Sequence, residues 1–230
     1  MASQARGQPA LRHDLPMTPI ACDAILFDLD GTLIDTELAG NGALAAELAV
    51  EGIAETAESL TRSFRGRALA EILEAMEDLH GVALRPGFIA RYRARAEALF
   101  ERGVEPMPGA ADALAGLGLP RCIVSNGPLD KIRQTLRVSG LAPHFGEHLF
   151  SAYEVGSWKP DPGLFLHAAR ALGVAPGRCV VVEDSASGIE AARRAGMRAL
   201  WFTPHGAPGA VPRHATAFTH LDQLAGLLAR

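Results

Sequence analysis

Ala24-Ile25-Leu26-Phe27-Asp28-Leu29-Asp30-Gly31-Thr32 is the stretch on which the fold turns. Four consecutive apolar residues ended abruptly by an acid and then a glycine fit a short strand buried on both faces of a parallel sheet. Asp28 then stands at the strand's carboxyl end. In an extended chain, residues two apart project to the same side, so Asp28 and Asp30 converge while Leu29 faces away. Two like charges brought together call for a cation. Gly31 permits the sharp turn that follows, and Thr32 supplies a hydroxyl or caps the loop. An acid pair in a loop is ordinarily solvated surface, but an apolar strand feeding straight into this one makes a metal or catalytic site the better reading.

The same punctuation recurs downstream. Cys122-Ile123-Val124-Ser125, Cys179-Val180-Val181-Val182-Glu183 and Ala199-Leu200-Trp201-Phe202 are further short apolar runs, with helical spacing between them over 162–172 and 187–195. Such alternation predicts an α/β fold with a doubly wound, Rossmann-like parallel sheet. From residue 37 to residue 105 the texture shifts to Ala, Leu, Glu and Arg at helical periodicity with no strand-like run, which predicts an inserted all-helical domain. Its exit, Glu105-Pro106-Met107-Pro108-Gly109, and its entry at 35–37 read as hinges. The expected division is a disordered tail over 1–22, a core made of 23–36 and 106–230, and a cap over 37–105. Met17 is as good a natural start as Met1.

Composition narrows the class. With 48% hydrophobic and 21% charged residues in 230, the chain can bury one substantial core and a smaller appended domain. A formal charge of -4 gives no general attraction to nucleic acid or to an anionic membrane, and the first 22 residues hold no apolar run suited to a signal peptide or membrane helix. Cys22, Cys122 and Cys179 are odd in number and lack a Cys-x-x-Cys spacing, which fits a reducing, cytoplasmic setting, and Cys122 and Cys179, beside strand-like runs, read as small buried hydrophobes. Oligomeric state is open, a monomer included.

Three further segments carry chemistry. Glu183-Asp184 ends another apolar run, and an all-oxygen donor set of this kind suits Mg²⁺; alternatively Asp184 or Ser185 caps the helix that follows. Ser125-Asn126-Gly127 precedes a helix near Pro128, where a hydroxyl and free N–H groups bind phosphate oxygens or serve as a cap. Lys159 in Lys159-Pro160-Asp161-Pro162 is a cation in a loop stiffened by two prolines. Open α/β sheets bind ligands beyond the carboxyl ends of their strands, so these segments and Asp28-Asp30 should meet in one crevice.

With these motifs in view, the chain resembles the haloacid dehalogenase superfamily from Ala24 onward, the four family motifs matching Asp28-Leu29-Asp30-Gly31-Thr32, Ser125, Lys159 and Glu183-Asp184. The insert resembles the cap of the branch containing β-phosphoglucomutase and phosphoglycolate phosphatase. Ser125-Asn126-Gly127-Pro128, Trp158 to Pro162 and Phe218-Thr219-His220-Leu221 are more narrowly similar to bacterial 6-phosphogluconate phosphatases. The resemblance implies a phosphatase of a small phosphate ester: Asp28 attacks phosphorus and Asp30 is the acid and base. It further implies that Asp28, the Asp30 carbonyl, Glu183 and Asp184 hold Mg²⁺, that Ser125 and Asn126 hold phosphate oxygens, and that Lys159 offsets charge. Spacing alone does not say which of Asp28 and Asp30 is the nucleophile.

For substrate choice, Arg65 and Gly66 are the candidates, in a probable cap loop where Arg62, Arg65 and Arg67 surround Gly66 and suit an anionic sugar acid such as 6-phosphogluconate. The competing view makes these arginines solvated helix ends, and Arg91, Arg93 and Arg95 read as a solvated helix face. Mutases of this branch carry a histidine twelve residues after the nucleophile, where this chain has Gly40, which weakens a sugar-phosphate mutase reading. A haloacid dehalogenase would leave Glu183-Asp184 redundant, and a binding module would leave the catalytic set unused.

Overall fold

The computed structural model describes residues 19–64, 69–207 and 209–229. A short strand β1 (Ile20–Ala21) leads into β2 (Ala24–Phe27), every residue of which is buried. Four helices follow: α1 (Glu37–Val50), α2 (Ala57–Phe64), α3 (Leu69–His80) and α4 (Phe88–Phe100). The chain then returns through α5 (Ala110–Gly116), β3 (Arg121–Ser125), α6 (Leu129–Val138), β4 (Leu149–Ser151), α7 (Ala152–Val155) and α8 (Gly163–Ala171). It ends with β5 (Cys179–Glu183), α9 (Ala186–Arg194), β6 (Arg198–Phe202), β7 (Ala215–Phe218), α10 (Leu224–Leu227) and β8 (Leu228–Ala229).

Six strands form one parallel sheet in the order β4-β3-β2-β5-β6-β7. The chain starts at β2, builds outward through β3 and β4, then returns to the other side of β2 with β5. This reversal leaves a crevice at the carboxyl ends of β2, β3 and β5, the place where doubly wound sheets hold ligands. Alternate residues of each strand feed two apolar layers: Ile25, Phe27, Ile123, Val180 and Val182 on one face, and Leu26, Cys122, Val124 and Val181 on the other. That two-sided burial is why these strands read as continuous apolar runs. Strands β4 and β7 escaped the sequence reading because they are edge strands, with only one of three and two of four residues buried. All three cysteines are free and buried, Cys22 together with the two read so, Cys122 and Cys179.

Residues 20–22, read as part of a disordered tail over 1–22, are held in the fold. Ile20 and Ala21 pair in parallel with Leu228 and Ala229, the Cys22 N–H donates to the Ala229 carbonyl at 2.9 Å, and Cys22 is fully buried. Partners two hundred residues away supplied hydrogen bonds that local composition does not reveal.

Helices α1 to α4 pack around their own apolar cluster of Leu44, Leu48, Leu60, Leu73, Met76 and Phe88. The arginines of α4 are not simply a solvated face: Arg91 and Arg95 bond the buried Glu47 of α1 at 3.2 and 2.7 Å, and Arg91 also bonds Glu51 at 2.6 Å. Burying Glu47 demands such partners, because an uncompensated carboxylate in the interior is costly. Arg93 instead reaches the core, donating to the Tyr153 hydroxyl at 2.9 Å. The two crossings between the units run side by side, with the Asp35 N–H on the Glu105 carbonyl at 3.0 Å and the Met107 N–H on the Leu33 carbonyl at 2.8 Å.

Candidate active site

Four loops meet at the carboxyl ends of β2, β3 and β5. Asp28 extends the β2 ladder by one rung, its N–H on the Val182 carbonyl at 2.9 Å, and its carboxylate is therefore held by the sheet. Lys159 joins the site from the loop before α8, through a cis Lys159-Pro160 peptide. Its buried ammonium donates to Asp28 Oδ1 at 2.6 Å and to Glu183 Oε1 at 2.7 Å. Both partners are themselves buried, and the two carboxylates hold the Lys159 pKa above its ordinary value against the opposing effect of burial.

Oxygens of Asp28, Glu183 and Asp184 lie within 4.8 Å of one another. Burial raises the Asp28 pKa to about 7; Lys159 opposes this, and the nearby Glu183 and Asp30 reinforce it. Asp184 is likewise raised, by burial and then by Glu183 and Asp28. The donor set fits a hard divalent cation, which takes carboxylate oxygens and relieves this repulsion. Gly31 shapes the same space: at φ +83°, a Cβ there would sit 2.5 Å from Asp184 Oδ2, so only glycine lets that carboxylate approach the loop after Asp28. Thr32 donates to Asp184 Oδ1 at 3.0 Å, leaving Oδ2 for a ligand, and Trp201 Nε1 donates to the Asp184 carbonyl at 2.9 Å.

Glu183 is the most committed of the three. Besides Lys159 it accepts from the Ser185 N–H at 2.7 Å and the Ser185 hydroxyl at 2.8 Å. Ser185 also caps α9 by accepting from the Gly188 N–H at 3.1 Å, the capping role that the sequence offers for Asp184 or Ser185.

The Asp30 carboxylate stands outside the three-acid cluster. It accepts from Thr36 at 2.7 Å and from Lys131 at 2.8 Å. Burial pushes its pKa upward, yet the Lys131 ammonium and the two hydrogen bonds outweigh that and hold it below the ordinary carboxylate range. Any metal contact from residue 30 would therefore come from its backbone carbonyl. Lys131 was not singled out from the sequence; its only signal is a position in the first turn of the helix that follows Ser125-Asn126-Gly127, on the turn facing the crevice.

Ser125 is buried at the end of β3, its Oγ accepting the Gly127 N–H at 3.0 Å. The Asn126 side chain turns to the lysine loop, which leaves its backbone N–H for the phosphate role read for it. Its Oδ1 accepts the Lys159 N–H at 2.9 Å and its Nδ2 donates to the Lys159 carbonyl at 3.3 Å, so the amide is spent on tying the lysine loop to β3. Arg65 and Gly66, and Arg67 with them, lie outside the described residues.

A stability prediction follows from Asp28. Its raised folded pKa means that the metal-free fold is favoured while the carboxyl is protonated, fully below about pH 4, and that this contribution fades as pH rises through about 7. Replacing it with Asn removes the titration. In chelator, the difference in Tm between Asp28→Asn and the parent should grow in favour of the mutant from pH 5 to pH 8, by a change worth about 2 to 4 kcal/mol. A pH-independent difference in melting curves would show that Asp28 does not titrate in this window.

The haloacid dehalogenase-like hydrolase family model matches residues 22–196. The chain is 37% identical to 6-phosphogluconate phosphatase of Escherichia coli over 205 residues, 88% of this chain and 92% of that protein. It is 31% identical to the fructose-1-phosphate phosphatase of the same organism, over 76% of this chain and 94% of the relative. In three dimensions it matches a haloacid dehalogenase-like protein of unknown function from Agrobacterium tumefaciens with a TM-score of 0.77 at 33% identity, covering 90% of this chain and 97% of the other. A parallel sheet with an acid-lysine cluster at its switch point, a family match over most of its length and phosphatase relatives covering most of theirs agree: the chain belongs to the haloacid dehalogenase-like hydrolases, among their phosphatases.

Proposed function

We propose that this phosphatase hydrolyses a phosphorylated carbohydrate, a sugar phosphate or a sugar acid phosphate such as 6-phosphogluconate, in two steps through an aspartyl phosphate on Asp28. The observation that carries the reading is the buried Lys159 bonded at once to Asp28 and Glu183 beside the acidic cluster. A lysine so placed orients one carboxylate oxygen and leaves the other to attack.

In the first step an Asp28 oxygen bonds phosphorus, the phosphorus–oxygen bond to the sugar breaks, and Asp30 gives its proton to the departing oxygen. In the second, Asp30 takes a proton from water as that water attacks the phosphoryl group, and phosphate leaves with Asp28 restored. Lys159, Ser125 and the N–H groups after it stabilise charge on the phosphoryl oxygens. Asp28, the Asp30 carbonyl and Asp184, with help from Glu183, would hold Mg²⁺, which supplies Lewis-acid screening of the negative charges. Asp30 bonded to Lys131 is in the ionised state suited to the second step; for the first, that contact must loosen. The carbohydrate assignment draws on the two relatives that act on 6-phosphogluconate and fructose 1-phosphate. Gly40, where a mutase would carry histidine, favours hydrolysis over transfer between sugar positions.

Phosphate release from a panel of phosphorylated sugars, hexitols and sugar acids tests this. With Mg²⁺, release is expected from at least one class; chelation should lower it at least about 100-fold and added Mg²⁺ should restore it. Chelator-insensitive turnover would exclude the metal role, and silence across the whole panel would exclude the substrate class.

A further inference from the structure

Two cavities of about 190 and about 450 Å³ open where cap and core meet, both lined by Lys131, the partner of Asp30. Four side chains line both: Leu69, Tyr92, Phe100 and Lys131. Leu69 and Phe100 are apolar walls. Tyr92 comes from cap helix α4 and Lys131 from core helix α6, so the one polar pair common to both spaces is divided between the two units.

Neither group is spent. Lys131 has three N–H donors; one goes to Asp30 at 2.8 Å, and the ammonium stands 5.4 Å from the centroid of the Phe100 ring, with 28% of the side chain exposed. Among the described residues the Tyr92 hydroxyl has no hydrogen-bond partner, although the ring packs into both the cap and the core clusters. Half-buried Tyr92 lines both cavities and its hydroxyl is not sealed away from them, so a ligand oxygen can take up the donor. Its oxygen faces α1, 3.8 Å from where a Cβ at Gly40 would sit, so the absent side chain at residue 40 leaves that space open. Among the described residues, Lys159 is engaged between Asp28 and Glu183, and Arg93 on Tyr153.

Position sets what the pair can reach. On the reading given above, Asp30 meets the oxygen of the scissile ester, and Lys131 is within one hydrogen bond of Asp30. A substrate atom in contact with Lys131 at that moment lies only a few bonds from the ester. We infer that Tyr92 and Lys131 form a two-donor clamp on a hydroxyl carried by the leaving alcohol within one or two carbons of the phosphorylated one. Such a clamp selects polyol and sugar acid phosphates over monoesters with bare alkyl chains, because a site built to bond a substrate oxygen is left with unpaired polar groups when that oxygen is missing. It also couples recognition to cap placement, since one donor rides on each unit.

The inference rests on the phosphatase reading, and the test separates the two. The parent, Tyr92→Phe and Lys131→Met are assayed for phosphate release from sorbitol 6-phosphate, 6-phosphogluconate and n-hexyl phosphate. The parent should favour the oxygenated esters, and each variant should lower kcat/KM for them by about 10- to 100-fold relative to n-hexyl phosphate. An equal loss on the hexitol and the sugar acid in Lys131→Met identifies the bound oxygen as a hydroxyl that both carry beside the ester, whereas a larger loss on the sugar acid would put the lysine on the carboxylate at the far end of the chain and overturn the placement. A uniform fall on all three esters in both variants would overturn the clamp, leaving the pair as support for Asp30 and the cap, while the phosphatase reading would stand. No release from any ester by the parent would remove both.

Discussion

Asp28→Asn is expected to abolish phosphate release, by about 10⁴-fold or more, without lowering Tm. The two halves of this result have separate physical origins. Asn has nearly the shape of Asp, and its Oδ1 can still accept the 2.6 Å bond from Lys159, so the packing of the switch point survives. What disappears is a nucleophile. The amide has no anionic oxygen to bond phosphorus, and no neighbour can replace it: Glu183 is closed off by Lys159 and Ser185, Asp184 is tied to Thr32, and Asp30 is turned toward Thr36 and Lys131. Removing one of several crowded carboxylates also relieves repulsion, so stability is expected to hold or rise in metal-free buffer at neutral pH. The check is initial-rate phosphate release alongside thermal melts of both proteins in the same buffer. Turnover within tenfold of the parent would eliminate Asp28 as nucleophile; lost turnover with a collapsed Tm would mean only that the protein had unfolded.

Gly188→Ala should be the most damaging change at a residue that touches no substrate. A Cβ at position 188 would overlap Oε1, Cδ and Cγ of Glu183. Glu183 has nowhere to go, being 1% exposed and bonded through both oxygens. Helix α9 is equally fixed, capped by Ser185 and packed through Ile189, Ala191 and Ala192. Either the helix start lifts away from the sheet, or Glu183 is expelled and Lys159 keeps only Asp28. The first route costs the overpacking penalty and the second approaches the cost of breaking a buried ion pair, so about 2 to 4 kcal/mol is expected, or roughly 10 °C in Tm. Because Lys159 loses its second anchor, kcat should fall about 100-fold as well. Gly226→Ala is the control: a Cβ there meets nothing within 4 Å, and only a small change is expected. Parent-like melting and turnover in Gly188→Ala would refute the idea that Glu183 positions Lys159.

Much of this site was legible because burial forces a pattern onto the sequence. Strands covered on both faces must be apolar throughout and stop where the chain meets water, so Ala24–Phe27 and Cys179–Glu183 announced themselves, with Asp28 and Glu183-Asp184 at their ends. The helical insert was equally readable from its periodicity. Strands β1, β4, β7 and β8 were not, since edge and terminal pieces carry little burial of their own and draw their hydrogen bonds from distant partners. The residue types that make a phosphoryl site, and the α/β alternation that gathers them at one crevice, were thus determined by the sequence alone. Only the tertiary structure decided how the groups divide their bonds. It gave Lys131 to Asp30, tied the Asn126 amide to Lys159, closed Glu183 with Ser185 and, among the described residues, left the Tyr92 hydroxyl unpartnered. Each of these is a competition among donors and acceptors separated by up to about a hundred residues, settled by distances of a few tenths of an ångström, and no local pattern in the chain encodes its outcome.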